Sequence, residues 1–219
     1  DLLLVDHQED ALLELGTYLE NKYSVTVRLL VADLADAESV TSILAEIQET
    51  GCRLFIYNAA FSRVKPFVEN DAAELDRYVA VNVSTLLQLL HGFASYHTHQ
   101  PQVSKGIILM SSLAGSWGSR LLAPYGATKA FTLILAEALY HELKDTGFDI
   151  LVSITGATAT PGYLSSLPVS RKSPGGVMHP QKVVDSCFRG LGKKTILIPG
   201  YRNKVAHFIL SRILPRRLS

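Results

Sequence analysis

Short apolar runs alternate with amphipathic stretches along almost the whole chain. The apolar runs predict strands at 2–5, 25–31, 54–57, 106–110, 149–154 and 195–198. Between them, apolar side chains recur at helical spacing and predict helices at 9–21, 36–50, 125–146, 180–191 and, as one or two helices, 71–96. Strands this apolar are typical of parallel sheets with helices on both faces. The pattern therefore predicts a doubly wound α/β fold around a mostly parallel sheet.

The length and composition are typical of one globular domain. The 219 residues are 47% hydrophobic and 19% charged, and we expect 1–219 to form a single domain. The net charge of +1 predicts no nucleic-acid partner. Cys52 and Cys187 form no CxxC pattern, which favours free thiols and a cytoplasmic location. The irregular stretch 158–178, rich in Pro, Ser and Gly, is predicted to be a substrate-binding loop.

The strongest chemical signal is a serine, a tyrosine and a lysine at defined spacing. Tyr125 and Lys129 are four residues apart on a predicted helix, so their side chains share one face. A lysine cation there is expected to lower the tyrosine pKa towards that of a useful acid or base. Ser112 ends a predicted strand, from which its hydroxyl can reach a substrate oxygen. These residues predict a proton-transfer site for a carbonyl or an alcohol.

The tyrosine–lysine spacing is weak evidence when it stands alone. Tyr18 and Lys22 repeat it, but Val5 stands where the serine would be, so this pair is interpreted as a solvated helix face. His97 and His99 have no acidic or thiol partner at ligand spacing, and no metal site is predicted.

Further motifs stand in order along the chain. They are Asp33-Leu34 after a strand, Asn58-Ala59-Ala60 after the next, Asn82-Val83 on a helix, Thr155-Gly156, and Thr160-Pro161. Together with the serine, tyrosine and lysine, they resemble the short-chain dehydrogenase/reductase family of the classical type, over nearly the whole chain. The resemblance implies a Rossmann-type fold and an enzyme that interconverts a ketone or aldehyde and an alcohol using NAD or NADP. It also implies a homo-oligomer, either a dimer or a tetramer.

The resemblance implies a role for each site residue. Tyr125 would be the general acid or base, and Lys129 would lower its pKa and bind the nicotinamide ribose. Ser112 would hydrogen-bond the substrate oxygen, and Asn82 would hold a water that supplies protons. The cofactor-binding residues implied in the same way are Asp6, Asp33, Leu34, Asn58, Ala59, Tyr125, Lys129, Gly156 and Thr160.

Three departures from the family pattern stand out. Ala60 replaces a glycine, and Thr155 replaces a proline, which is expected to leave that loop freer. No GxGxxG or TGxxxGxG motif occurs in the chain, so it is interpreted as the family fold without its first strand and glycine-rich loop. Asp6 follows the first predicted strand. A carboxylate there would bind ribose hydroxyls and repel a 2′-phosphate, which favours NAD over NADP, although Asp6 could instead be a helix N-cap.

Two alternatives to the dehydrogenase remain open from the sequence. One is a catalytically inactive relative that acts as a binding module, and the other is an epimerase or dehydratase on the same fold. The apolar residues around the site favour a small hydrophobic substrate. The stretch 201–219 combines apolar and basic residues at helical spacing, so it could lie on a membrane surface, although packing against the domain or a partner subunit is the commoner outcome.

Overall fold

The computed structural model describes residues 1–100, 102–165 and 177–213, without the side chains of residues 165 and 213. Its strands are β1 Leu2–Asp6, β2 Val27–Val31, β3 Leu54–Tyr57, β4 Lys105–Ser112, β5 Phe148–Thr155 and β6 Ile196–Leu197. Its α-helices are α1 Glu9–Tyr23, α2 Glu38–Thr50, α3 Ala72–Val79, α4 Thr85–Thr98, α5 Ala123–Leu143, α6 Pro161–Ser165, α7 Pro180–Gly190 and α8 Tyr201–Phe208. Single turns of 3₁₀ helix lie at Phe67–Glu69, Leu113–Gly115 and Lys144–Thr146, and π turns at Ala80–Ser84 and Ile209–Ile213.

The predicted strands and helices are all present, with shifted ends. The predicted helix at 71–96 is two helices, α3 and α4, with a π turn between them. The predicted loop 158–178 contains α6, and a parallel bridge between Thr158 and Met178 closes its base. Residues 166–176 of that loop lie outside the described part of the chain.

Every strand pairing in the structure is parallel. Strands β3, β4, β5 and β6 form one sheet in that order, and β1 pairs with β2 in a second sheet. Each crossover between paired strands contains at least one helix, as parallel neighbours require. This arrangement confirms the predicted doubly wound α/β fold.

Helices cover both faces of the four-stranded sheet. One face carries the larger core, where Phe55, Ile107 and Ile150 pack against residues of α2, α4 and α5. The other face carries a smaller core, in which Ile108 and Leu151 pack against α7. This division follows from the sequence, because consecutive strand residues point to opposite faces.

The described residues show no hydrogen-bonded pairing between β1 and β3. Phe55 and Tyr57 of β3 are buried in the larger core, whereas Leu54 and Ile56, on the opposite face, are 40% and 46% exposed. Ile56 is in register with the buried Ile108 of β4, so its exposure reflects a face of β3 that is not covered by the described residues.

Candidate active site

The predicted site residues follow the carboxyl ends of the strands. Ser112 is the last residue of β4, and Thr155, at the end of the neighbouring β5, is in register with it. Asn58 directly follows β3, in the same sheet, and is exposed. Because the carboxyl ends of parallel strands share one edge, these residues lie along the edge at which α/β sheets bind ligands.

Two glycines bring Ser112 against α5. The serine hydroxyl accepts a hydrogen bond at 3.2 Å from the Ala114 amide in the short turn that follows β4. A Cβ atom at Gly115 would lie 2.6 Å from the Lys129 backbone carbon, and one at Gly126 would lie 2.7 Å from the Ala114 oxygen. No larger residue fits at either contact, so the turn lies directly on the helix that carries Lys129.

The start of α5 is fixed by an unusual backbone conformation. Leu121 has φ +67°, a left-handed conformation that is costly for a branched side chain and is found preferentially at functional sites. Its carbonyl accepts a hydrogen bond at 3.1 Å from the amide of Lys65, a residue of the loop after β3. Pro124 in the first turn suits a helix start, and Tyr125 follows it.

Lys129 and Tyr125 share a helix face, but their electrostatics differ from the expectation. The Lys129 ammonium donates a hydrogen bond at 2.8 Å to the Met110 carbonyl, and its Nζ lies 5.6 Å from the centre of the Tyr125 ring. Burial lowers the pKa of Lys129 to about 8. Burial also raises the pKa of Tyr125, and a hydrogen bond with Ser112 opposes this rise. The expected fall of the tyrosine pKa is wrong for this structure, because desolvation of the buried phenol is the largest influence on it.

The second tyrosine–lysine pair provides a contrast. The Lys22 ammonium donates directly to the Tyr18 hydroxyl at 2.5 Å, and both residues are exposed on α1. Contact between the two groups therefore does not distinguish the candidate site from a helix surface. The distinction lies in the buried position of Lys129 and in Ser112, which is close enough to Tyr125 to lower its pKa.

Asn82 lies in the π turn between α3 and α4, and such turns are frequent at functional sites. Its side chain is buried and makes three hydrogen bonds. The amide oxygen accepts from the Phe61 amide at 2.7 Å, and the amide nitrogen donates to the Phe61 carbonyl at 2.9 Å and to the Thr128 hydroxyl at 3.0 Å. Asn82 thus ties the loop after β3 to the residue that precedes Lys129.

The predicted adenosine contacts lie at the ends of β1 and β2. Asp6 is exposed, accepts a hydrogen bond from the Gln8 amide at 2.9 Å and lies 3.3 Å from the His7 ring. The N-cap of α1 is Gln8, so the alternative role of Asp6 as N-cap is wrong.

Asp33 has a partner that the sequence analysis missed. The Ala35 amide and the Arg77 guanidinium, which is 2.9 Å away, both lower the pKa of the Asp33 carboxyl. The next carbonyl, that of Leu34, accepts a hydrogen bond at 2.7 Å from Thr85. No sequence signal connects Arg77 to Asp33, since 44 residues separate them.

The loop after β5 contains the predicted nicotinamide contacts. Thr155, expected to leave this loop freer, instead donates a hydrogen bond at 3.0 Å to the Ser111 carbonyl. The Thr160 hydroxyl accepts from the Tyr163 amide at 3.2 Å. Gly156 lies against the side chain of Asn203, whose atoms would be 2.5 to 2.8 Å from a Cβ at that position. Ala59 is exposed at the end of β3.

Helix α8 packs against the domain, which is one of the outcomes expected for 201–219, and it contacts two loops of the site. Besides the contact of Asn203, its His207 ring lies 6.2 Å from the ring of Trp117 in the loop between Ser112 and Tyr125. Burial, aided by Arg212, lowers the pKa of His207. Within the described ranges, no group of three or more metal-ligating side chains comes together.

The family comparison gives a match over most of the chain. The model of the short chain dehydrogenase family matches residues 1–166. A 7beta-hydroxysteroid dehydrogenase of Mediterraneibacter gnavus is 29% identical over 210 residues, which are 94% of this chain and 79% of the relative. A very-long-chain 3-oxoacyl-CoA reductase of Meyerozyma guilliermondii is 28% identical over 205 residues, which are 89% of this chain and 58% of the relative.

Solved structures share the fold. A 7beta-hydroxysteroid dehydrogenase structure superimposes with a TM-score of 0.89 at 27% identity, over 99% of this chain and 84% of the other. A short-chain dehydrogenase from Sphingobium yanoikuyae in complex with NADPH superimposes with a TM-score of 0.84, over 98% and 87% of the two chains. At 24% identity, the second match is evidence for the fold alone.

Proposed function

Because the chain belongs to the short-chain dehydrogenase family and is an NAD(P)-dependent oxidoreductase, we propose that it interconverts a hydrophobic ketone and its alcohol at Ser112, Tyr125 and Lys129. The observation that carries this assignment is the contact of the turn after Ser112 with the face of α5 that bears Lys129. The relatives are named dehydrogenases and reductases, which favours this activity over an inactive binding module or an epimerase.

Tyr125 supplies the proton in the reductive direction. Its pKa is raised by burial, so the phenol is protonated near neutral pH and can donate to a substrate oxygen that gains negative charge. The Ser112 hydroxyl interacts with the phenol and can donate a hydrogen bond to the same substrate oxygen. In the oxidative direction the tyrosine must first give up its own proton, and the resulting phenolate then accepts the alcohol proton.

Lys129 and Asn82 support the tyrosine. A lysine whose pKa is about 8 changes its charge near working pH, so it can take up and release protons next to the catalytic phenol. Asn82 is one hydrogen bond from Thr128, the residue before Lys129. We assign it the role of holding a water between Lys129 and solvent.

The residues present fit both ends of a nicotinamide dinucleotide. The exposed Asp6 carboxylate can accept hydrogen bonds from ribose hydroxyls and favours NAD over NADP, while Asp33 and Leu34 are assigned to the adenine side. Asn58, Ala59, Gly156, Thr160, Tyr125 and Lys129 are assigned to the nicotinamide side. When bound, the cofactor supplies or accepts the hydride, which no side chain can do. A glycine-rich turn for the diphosphate does not occur within 1–219.

The substrate is assigned to a hydrophobic class, such as a steroid-like or acyl ketone. Trp117, Leu121 and Leu122 provide apolar side chains between Ser112 and Tyr125. The names of the relatives, hydroxysteroid dehydrogenase and oxoacyl-CoA reductase, support bulky apolar substrates. We also propose that residues 1–219 form a single domain, that the protein is a homo-oligomer and that it is cytoplasmic.

A substrate panel tests the activity. Steroid, acyl and aromatic ketones and NADH or NADPH are mixed with the chain fused at its start to the strand, glycine-rich turn and helix of a relative, and the decay of cofactor absorbance is followed. Tyr125→Phe removes the proton donor and should lower the rate by about 10²- to 10⁴-fold. Tyr18→Phe is the matched control, since that tyrosine also contacts a lysine but lies on the exposed face of α1. Equal activity of both variants and the unaltered protein would show that the site is wrongly assigned.

A further inference from the structure

The charge of the chain is distributed unevenly. Residues 186–219 contain no Asp or Glu and eight basic residues, namely Arg189, Lys193, Lys194, Arg202, Lys204, Arg212, Arg216 and Arg217. The first 185 residues contain thirteen basic and twenty acidic side chains, so they carry a net negative charge. Although the net charge of the whole chain is only +1, its C-terminal segment, which contains α8, is strongly basic.

Helix α8 has an inner and an outer face. Asn203 and His207 point inward to the site loops and are partly buried. Tyr201, Val205 and Phe208 follow helical spacing and form one outward stripe, in which they are 81%, 38% and 58% exposed. The fold itself therefore leaves an apolar stripe in contact with solvent.

Basic side chains border this stripe. Arg202 and Lys204 lie on either side of Tyr201 around the helix, and both are exposed. In the π turn after α8, Ile209 is 39% exposed and Arg212 is exposed, so apolar and basic residues continue together. A helix with apolar residues flanked by Lys and Arg has the composition of helices that lie in the interface of a lipid bilayer.

We propose that the outer face of α8, formed by Tyr201, Arg202, Lys204, Val205 and Phe208, docks on the surface of an anionic lipid bilayer. The basic side chains are attracted to anionic headgroups, and the aromatic and aliphatic side chains enter the boundary between headgroups and acyl chains. No helix in the described part of the chain is long and apolar enough to cross a membrane, so this contact is with the surface.

Charge and chemistry favour lipid over other partners. A second copy docked symmetrically through the same face would bring its basic residues against basic residues, which is unfavourable. The phosphates of a nucleic acid would bind the basic side chains, but they would leave the exposed apolar side chains of Val205 and Phe208 without a partner. The inner face of α8 contacts the loops of Gly156 and Trp117, so docking holds these loops close to the bilayer. The docking does not rest on the proposed reaction.

Vesicle co-sedimentation tests the proposal. Binding of the purified protein to phosphatidylcholine vesicles is compared with binding to vesicles that also contain phosphatidylserine, at low and high salt. We expect preferential binding to the anionic vesicles, weakened by salt. Arg202→Ser combined with Lys204→Ser should weaken it by about thirtyfold, since each basic residue near an anionic surface contributes about fivefold. Phe208→Ser should weaken it by about tenfold.

Matched variants control the experiment. Phe67→Ser removes an aromatic side chain that is 58% exposed, as Phe208 is, but lies outside α8, and it should not change binding. Arg53→Gln with Lys144→Gln removes two exposed charges elsewhere and should have only a small effect. Circular dichroism checks that each variant is folded.

Three outcomes would overturn the proposal. The first is equal binding to neutral and anionic vesicles, or none to either. The second is binding that duplex DNA competes away and that Phe208→Ser leaves unchanged, which would indicate a polyanion site. The third is a concentration-dependent oligomer, measured by light scattering, that Phe208→Ser dissociates without affecting vesicle binding, which would assign the face to a subunit interface.

Discussion

The buried lysine of the site should make the stability of the protein depend on pH. Lys129 is buried, and its ammonium has the Met110 carbonyl as its hydrogen-bond partner. Burial lowers its pKa from the ordinary 10.5 to about 8. The perturbation to test is Lys129→Met, which keeps a long side chain of similar volume but cannot titrate.

The direction in which stability changes with pH follows from the number of protons bound in the folded and unfolded states. Between pH 8 and pH 10.5 the lysine is charged in the unfolded chain and neutral in the folded one, so the unfolded state binds more protons and stability rises with pH. Below the folded pKa, the full cost of the buried charge is present. The difference between the two pKa values corresponds to about 3 kcal/mol, which is a large part of the stability of an ordinary domain.

Urea unfolding of both proteins across this pH range provides the measurement. The free energy of unfolding of the unaltered protein should rise by about 3 kcal/mol relative to Lys129→Met, and the effects of other titrating groups should cancel in the difference. For Lys22→Met, at the exposed pair on α1, the free energy of unfolding should change with pH in the same way as for the unaltered protein. If the Lys129→Met curve is also parallel, the Lys129 ammonium is stabilised by its carbonyl partner, and the argument from burial is refuted.

Three further predictions concern the cofactor and the geometry of the site. Asp6→Ser with His7→Arg should shift the ratio of kcat/KM for NADH and NADPH towards NADPH, and an unchanged ratio would show that Asp6 does not contact the ribose. Gly126→Ala should lower kcat by about tenfold or more, since its Cβ would lie 2.7 Å from the Ala114 oxygen, whereas Gly118→Ala, with no atom within 4 Å, should be neutral. In calorimetric titration the 219-residue chain should bind NADH weakly, and a fusion that adds a strand, a glycine-rich turn and a helix from a relative at its start should bind about tenfold or more tightly. Tight binding by the chain alone would mean that another segment contacts the diphosphate.

Local sequence was sufficient to predict the strands and helices and to select the candidate catalytic residues. Apolar runs specify strands buried on both faces, and helical spacing specifies the helices between them, because both patterns depend only on neighbouring residues. Ser112, Tyr125 and Lys129 were predictable for the same reason: one ends a strand, and the others are a turn apart on one helix. Family resemblance added Asn82, whose position in a π turn no pattern in the sequence indicated.

Only the tertiary structure determines the pKa values of the site residues and the contacts between residues that are far apart in the sequence. The sequence places a cation near Tyr125, but only burial determines that desolvation raises the tyrosine pKa. Arg77 reaches Asp33 across 44 residues, and α8 reaches the loops of Gly156 and Trp117, because folding brings distant segments together. The sequence of 201–219 showed an apolar and basic helix. Which of its faces packs inward, and which is left for a partner, depends on contacts between segments far apart in the chain, and no local pattern encodes these.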